Sequence, residues 1–223
     1  AENPDLVFVQ ELQWNDLEAI ESALEGWAVH ASLADRPGYS GVAILSRSPW
    51  PEAEVPSLPE GLIGEGRYAA INVHGQIWLN AYLPSGSSKP ARQELKLQAL
   101  THLELWLERQ KGTVVLGGDL NLAPEAIDVH DPLRLDGKPG FSPEERAWFG
   151  RIASKGWHDA FRLGRRGERE VYSWWSPRSG SRDRNKGWRI DHWITNAPER
   201  VLDASYDGLA RFSDHAPMRL RWS

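Results

Sequence analysis

Val114-Val115-Leu116-Gly117-Gly118-Asp119-Leu120-Asn121 is the stretch whose reading decides the fold. An apolar, partly β-branched run that stops at two glycines and then shows a carboxylate and an amide reads as a buried strand delivering polar groups to its exposed end. Asp119 and Asn121 are two residues apart, so in continued extended backbone they point the same way and can address a single atom. The same spacing also suits an Asx-rich turn after a strand. Residues elsewhere in the chain decide between the two.

Working outward, the flanking segments supply layers for such a strand. Before it, Ser88 with Pro90 should start a helix whose Leu95, Ala99, Leu103, Trp106 and Leu107 form one stripe, with Gly112 as its stop. After it, Ser142-Pro143-Glu144-Glu145 is a capping box with proline at the first helical position, predicting a helix to about Ser154. Residues 69–73 and 76–83 read as a hairpin around His74-Gly75, ending at Tyr82, and residues 41–45 as a further strand. Near the start, Leu6-Val7-Phe8-Val9 is strand-like and runs into Gln10-Glu11. A carboxylate at the end of a buried strand is costly unless it meets a cleft, a cation or a donor, which makes Glu11 a candidate ligand for a hard metal. Asn15 or Asp16 can cap a helix carrying Leu17, Ile20 and Leu24 and ending at Gly26. Residues 187–194 read as one apolar strand interrupted by Asp191, and the chain closes on Ser213-Asp214-His215 and a short strand. Strands interleaved with two or three helices, without regular alternation, predict an α+β fold: a two-sheet β-sandwich core with helices on the outer faces.

Composition narrows the chemistry. The 223 residues suffice for one domain with a real core, expected to span residues 1–223. There are no cysteines, so disulfides, thiolate metal sites and cysteine nucleophiles are excluded and any metal must be held by oxygen or imidazole. The sequence has no apolar run of membrane-spanning length. Net charge is −5, yet residues 1–111 carry 8 basic and 15 acidic side chains whereas residues 112–223 carry 18 and 16. Between residues 161 and 191 nine Lys/Arg face four Asp/Glu, an excess that could meet phosphates or simply be a solvated loop surface.

Glu11, Tyr82, Asp119, Asn121, Asp191, Asp214 and His215 all fall at or next to ends of predicted strands, and a sandwich brings several strand ends to one rim. These residue types suit metal-assisted phosphodiester hydrolysis: carboxylates for a hard Mg²⁺, a carboxylate base for water, and an imidazole or phenol as donor to phosphate oxygens.

With these motifs the chain resembles the exodeoxyribonuclease III and abasic-site (AP) endonuclease branch of the endonuclease/exonuclease/phosphatase superfamily. The matching stretches are Pro-Asp-Leu-Val-Phe-Val-Gln-Glu at 4–11, Gly-Val-Ala-Ile-Leu at 41–45, Glu-Gly-Arg at 65–67 and Asn-Ala-Tyr-Leu-Pro-Ser-Gly at 80–86. They continue, in order, with Gly-Gly-Asp-Leu-Asn at 117–121, Gly-Phe-Ser-Pro-Glu-Glu-Arg at 140–146, Trp-Arg-Ile-Asp at 188–191 and Ser-Asp-His-Ala-Pro at 213–217. The resemblance implies a four-layer αββα, DNase-like fold. It further implies a soluble, monomeric, Mg²⁺-dependent DNA-repair phosphodiesterase of the bacterial cytoplasm and nucleoid, with Mn²⁺ as a substitute metal. Its substrate would be duplex DNA, cut 5′ to abasic sites, with 3′ to 5′ exonuclease or 3′-phosphatase activity on 3′-blocked ends. By position, Glu11 would ligate Mg²⁺ directly and Asp214 would support it through water. Asp119 would orient or deprotonate the attacking water beside Asn121, His215 held by Asp191 would contact the phosphate, and Tyr82 would lie near it. Trp174 and Trp188 would wall a pocket for a flipped-out sugar, and Arg67 would contact the DNA backbone.

Ser85 stands where this family has an amide, which bears on DNA contact, as does Gln13 in place of a lysine. The family also opens with a strand ending in Trp-Asn-x-Asn-Gly, which this sequence lacks, so a parent chain longer by on the order of 20 to 30 residues is expected. Two rival readings are a DNA-binding relative with little catalysis, and a superfamily phosphodiesterase acting on RNA or another phosphate ester.

Overall fold

Every residue of the runs Gly41–Ser46 and Val114–Asp119 is buried, and strands covered on both faces require a layered architecture. The computed structural model describes residues 3–178 and 180–223. In chain order its elements are β1 (Leu6–Gln10), α1 (Trp14–Ala23), β2 (Ala28–Leu33), β3 (Gly41–Ser46), β4 (Tyr68–Val73), β5 (Gln76–Tyr82), α2 (Pro90–Arg109) and β6 (Val114–Asp119). There follow α3 (Pro132–Leu135), α4 (Pro143–Ser154), β7 (His158–Asp159), β8 (Trp174–Trp175), β9 (Gly187–Trp188), β10 (Asp191–Thr195), β11 (Val201–Tyr206) and β12 (Met218–Trp222).

One sheet has the order β1-β3-β2 and the larger one β4-β5-β6-β10-β7, with β11-β12 and β8-β9 as two-stranded additions. Alternation along the central strands sorts side chains between layers. Val42 and Ile44 of β3 meet Ile71, Trp78 and Val115 of the larger sheet in the space between the sheets. Ala43 and Leu45 turn outward onto Leu17 and Ile20 of α1 and Leu24 at its C-cap. Leu79, Leu116 and Ile194 turn the other way onto Leu103 and Trp106 of α2 and Trp148 and Ile152 of α4. The result is the α+β, helix–sheet–sheet–helix order expected. β12 joins the inter-sheet core through Leu220 and Trp222, whose ring meets that of Trp78 edge-on.

The two glycines of the deciding stretch have separate causes. A Cβ on Gly117 would run into the Trp193 indole, and Gly118 has φ +128° with Ala81 O where its Cβ would lie. The β4–β5 hairpin turns at His74 (φ 52°) and Gly75 (φ 81°), two successive positive values that match a type I′ turn.

Several expectations are corrected. α1 begins earlier than Asn15: Gln13 is its N-cap, and Asp16 accepts from Gln13 N (3.0 Å), closing the first turn instead of capping it. Lys89, not Ser88, occupies the N-cap position of α2, without a side-chain capping bond. Residues 187–194 are not one strand: Gly187–Trp188 pairs with Trp174–Trp175, and Asp191–Thr195 pairs with β6. β2 and β11 were not foreseen, because their mixed small and polar residues lack a clean period-two signal. α4 matches its capping box, with Ser142 Oγ accepting from Glu145 N. Among the described residues no helix is long and apolar enough to cross a membrane.

Candidate active site

Strand register builds the site's first row. β5 runs parallel to β6 with Tyr82 opposite Asp119, and β10 runs antiparallel to β6 with Asp191 opposite Asp119. Three residues far apart in sequence therefore stand side by side at one end of the larger sheet, about 4.8 Å between neighbouring strands. Beyond Asp119 the chain leaves the sheet through Asn121 at φ 54°, a left-handed conformation that asparagine tolerates better than most. Asn121 N donates to Asp119 Oδ1 (2.8 Å), and its Nδ2 donates to Asp119 Oδ2 (2.8 Å) and Leu83 O (2.9 Å). The backbone therefore forms the Asx turn rather than continuing extended, and the turn's own hydrogen bonds hold the Asn121 amide against Asp119. From below, Lys96 Nζ donates to Asn121 O (2.5 Å) and pairs with Glu145 (2.5 Å), both side chains fully buried. Glu145 also accepts from Gly140 N and Ser142 N, so the start of α4 is locked to the turn that carries Asn121.

His215 closes the row. Its Nδ1 lies 2.9 and 3.1 Å from the two Asp191 oxygens. The segment is stitched to β8 by Ala216 N donating to Ser173 O (2.7 Å) and Trp175 N to Asp214 O (3.2 Å), while Ser173 Oγ accepts from Asp191 N (3.0 Å). Ligand atoms of Asp119, Asp191 and His215 all lie within 4.8 Å of one another. Burial, reinforced by the Asp191 charge, pushes the Asp119 carboxyl up to about 8 against the opposing pull of His215, Asn121 N–H and Lys96. Burial alone would lower His215, but the Asp191 carboxylate overrides it and raises the imidazole to about 10.

Glu11 arrives from the other sheet. Asn80, buried on β5, donates through Nδ2 to Val9 O and Ala43 O (both 2.9 Å) and accepts from Gln10 Nε2 (2.7 Å). That clamp sets the end of β1 against β5, and Glu11, itself at φ 59°, accepts from the Tyr82 hydroxyl (2.9 Å). Burial, then the Glu11 and Asp119 charges, raise the Tyr82 phenol well above its ordinary value, so it remains a neutral donor. Arg67 is buried beneath it: its guanidinium bonds Glu65 (2.7 and 3.0 Å) and Tyr82 O (3.1 Å) and lies 4.7 Å from the Tyr82 ring centroid. Arg92 shares Glu65 and bonds the Tyr39 hydroxyl (3.2 Å).

These groups surround one cavity of about 470 Å³. Of the residues expected from sequence, Glu11, Arg67, Tyr82, Ser85, Asp119, Asn121, Trp174, Trp188 and His215 border it. Ser85 sits at the rim, its Oγ 3.1 Å from Ser87 Oγ. Asp191 lies behind His215, and Asp214 stands outside the lining, exposed, accepting from Trp174 Nε1 (3.0 Å). Trp174 and Trp188 face each other across the β8–β9 ladder. Beyond Trp188 a second hollow of about 600 Å³ is bordered by His130, Arg134 and Lys138.

Sequence reasoning missed Asn80, the Lys96–Glu145 pair, Arg92 and the second hollow. A signal existed for two of them. Asn80 is at period two from Tyr82, and Lys96 shares helical spacing with Leu100, Leu103 and Leu107, the buried stripe of α2.

The donors suit a hard divalent cation: carboxylates, an amide oxygen and an imidazole, without sulfur. Among the described residues one set converges, Asp119 with Asp191 and His215. Its oxygens are engaged, Asp191 by His215 and both Asp119 oxygens by Asn121. Glu11, on the cavity wall, accepts from the Tyr82 hydroxyl, and Asp214, outside the lining, accepts from Trp174 Nε1.

Comparison with known proteins places this geometry. The sequence model of the Endonuclease/Exonuclease/phosphatase family matches residues 1–215. An exodeoxyribonuclease of Bacillus subtilis is 33% identical over 224 residues, covering 98% of this chain and 88% of that protein. The solved structure of an AP endonuclease from Archaeoglobus fulgidus superposes with TM-score 0.85 at 27% identity, covering 98% of this chain and 89% of that one. The 3′ phosphatase NExo from Neisseria, bound to a product DNA hairpin, superposes with TM-score 0.83 at 29% identity, covering 99% and 89%.

Proposed function

We propose that this chain, which belongs to the endonuclease/exonuclease/phosphatase family and is a nuclease of the phosphodiesterase class, is a Mg²⁺-dependent DNA-repair enzyme. It cuts duplex DNA 5′ to abasic sites and also acts on 3′-blocked ends as exonuclease or phosphatase, working as a single catalytic domain. The observation that carries this reading is the row Tyr82–Asp119–Asp191 closed by His215 over a tryptophan-walled cavity. A pure binding module has no need of a buried carboxylate pair sharing one imidazole.

Asp119, with its proton affinity raised by burial, takes the proton of the attacking water, and the Asn121 amide fixes the carboxylate's orientation. His215 is charged and held by Asp191 at Nδ1, leaving Nε2 to donate to a phosphate oxygen. Tyr82, a neutral phenol held from below by Arg67 and donating to Glu11, lies near the same phosphate. As water adds to phosphorus the P–O3′ bond breaks, giving a 3′-hydroxyl and a 5′ sugar phosphate. Glu11 would hold Mg²⁺, or Mn²⁺ in its place, with Asp214 supporting it through water, and the cation would supply positive charge to the phosphate. Trp174 and Trp188 form the apolar wall for a sugar without a base, where an intact nucleotide is too large. His130, Arg134 and Lys138 provide the basic groove for the strand that continues past Trp188, with Ser85 and Arg92 at the opposite rim.

The test is incubation of duplex DNA carrying one abasic site, of the matched intact duplex and of a 3′-phosphorylated end, each with Mg²⁺ and with chelator. The expected product is a nick 5′ to the abasic sugar, formed only with metal. Equal cutting of RNA, or an undiminished nick under chelator, overturns the reading.

A further inference from the structure

The segment between β11 and Ser213 holds two large apolar side chains that the fold does not use: Leu209 is 86% exposed and Phe212 83%. Single exposed apolar residues are common and mean little. These two sit on a turn fastened at both ends. At its base Asp207 N donates to Pro217 O (2.9 Å), and the Asp207 carboxylate accepts from Leu209 N (3.1 Å) and Arg219 (2.9 Å). Arg211 NH1 donates to Gly208 O (2.8 Å) within the turn. At its end Arg182 NH1 donates to Ser213 O (2.6 Å), and His215 N donates to Ser213 Oγ (3.1 Å). Phe212 therefore projects from a braced support three residues before His215 and two before Asp214, which accepts from Trp174 Nε1.

Arg182 and Arg211 stand at the turn together with the Asp207 and Asp214 carboxylates. Arg182 stacks over the Trp175 ring at 4.3 Å, and burial together with the nearby Arg211 charge lowers its own affinity for a proton. Both guanidiniums are tied to the turn, Arg182 through Ser213 O and Arg211 through Gly208 O. An apolar pair flanked by two cations fits one surface, a nucleic-acid duplex, where aromatic rings enter between base steps while arginines hold the adjoining phosphates.

We infer that Phe212, with Leu209 beside it, is a wedge that enters the base stack next to the scissile phosphate, while Arg182 and Arg211 clamp the flanking backbone. The inference rests on the duplex-DNA reading above and adds the residues that open the duplex. Unstacking at that step helps extrude the sugar toward Trp174 and Trp188. Because both apolar side chains are solvent-exposed, their removal leaves the core intact.

The experiment uses an abasic duplex with 2-aminopurine next to the lesion, titrated with the full chain under chelator, when no cutting occurs. Wild type is expected to raise 2-aminopurine fluorescence as the stack opens. Phe212→Ala should lose most of that rise and bind the duplex about tenfold more weakly, in the range for removing one aromatic–base stack. Phe212→Trp should restore both, Leu209→Ala should have a smaller effect, and melting temperatures should match wild type. A Phe212→Ala protein with the same rise and the same affinity overturns the wedge while leaving the nuclease reading standing. So does a wild type that nicks abasic DNA without any rise. A wild type that neither binds nor nicks duplex DNA overturns both.

Discussion

β10 carries Asp191 and His192 as consecutive residues, and the two faces of that strand hold buried clusters of the same residue types with opposite electrostatics. On one face Asp191, Asp119 and His215 place two carboxylates around one imidazole, with Asp119 driven up to about 8. On the other, Asp128 and Asp159 meet Arg162 and Arg189, and His192 bridges Arg189 NH1 (3.1 Å) and Leu122 O (2.8 Å). There burial would raise Asp159, but Arg189 and His192 hold it far below the ordinary carboxylate range. Two acids matched by two guanidiniums form a closed ionic network that can only brace the fold. Two acids sharing one imidazole leave a carboxylate able to accept a proton. Fixed counter-charge, more than residue type, separates structure from chemistry here.

Four changes break or sharpen this contrast. Asp119→Asn should reduce cleavage by about 10²- to 10⁴-fold, the usual weight of a general base, in single-turnover assays with saturating metal. Its stability should move the other way. The folded state binds a proton at Asp119 between its ordinary carboxylate range and about 8, so stability falls as pH rises through that window, and the amide removes that loss. Melting at pH 8 is therefore expected at or above wild type.

Arg189→Met should do the reverse, costing roughly 3–5 kcal/mol of stability by leaving buried carboxylates unpaired. Urea unfolding reads it out, and a loss below about 1 kcal/mol would show the network to be ornamental.

Asp191→Asn keeps the hydrogen bond to His215 but removes the charge that raises it. The imidazolium then deprotonates nearer its ordinary value, and the alkaline limb of the pH–rate profile moves from about 10 toward lower pH. An unmoved limb would assign it to another group. The smallest effect is expected at Trp188→Ala, which should cut the preference for abasic over intact duplex by about fivefold, the low end for an aromatic wall. Equal losses on both substrates would make Trp188 core rather than pocket.

Local signals were legible where they carry their own physics. The hairpin at His74-Gly75 follows from two residues tolerant of positive φ, α4 from the reciprocal bonds of Ser142 and Glu145, and β6 from an unbroken apolar run ending at Asp119. The strand-end pattern of Glu11, Tyr82, Asp119 and Asp191 was equally visible. Illegible were the boundary inside residues 187–194, since pairing partners and not composition split β9 from β10, and the ion pairs of the buried charges. Asp128 and Arg189 look like solvated residues in sequence, and nothing in sequence pairs Lys96 with Glu145; only the partners show otherwise.

By itself the sequence determined the layers, because periodicity and capping are properties of a few consecutive residues and burial of apolar faces leaves little choice of architecture. It also determined the inventory of the site, since carboxylate, amide, phenol and imidazole are covalent facts. The tertiary structure alone decided which of those groups meet. Register between β5, β6 and β10 set the row of Tyr82, Asp119 and Asp191, the Asn80 clamp carried Glu11 across from the other sheet, and Lys96 held Asn121 from beneath. Proton affinity followed from the same cause: a carboxylate's charge costs or gains energy according to neighbours that lie tens of residues away in the chain and a few ångströms away in space.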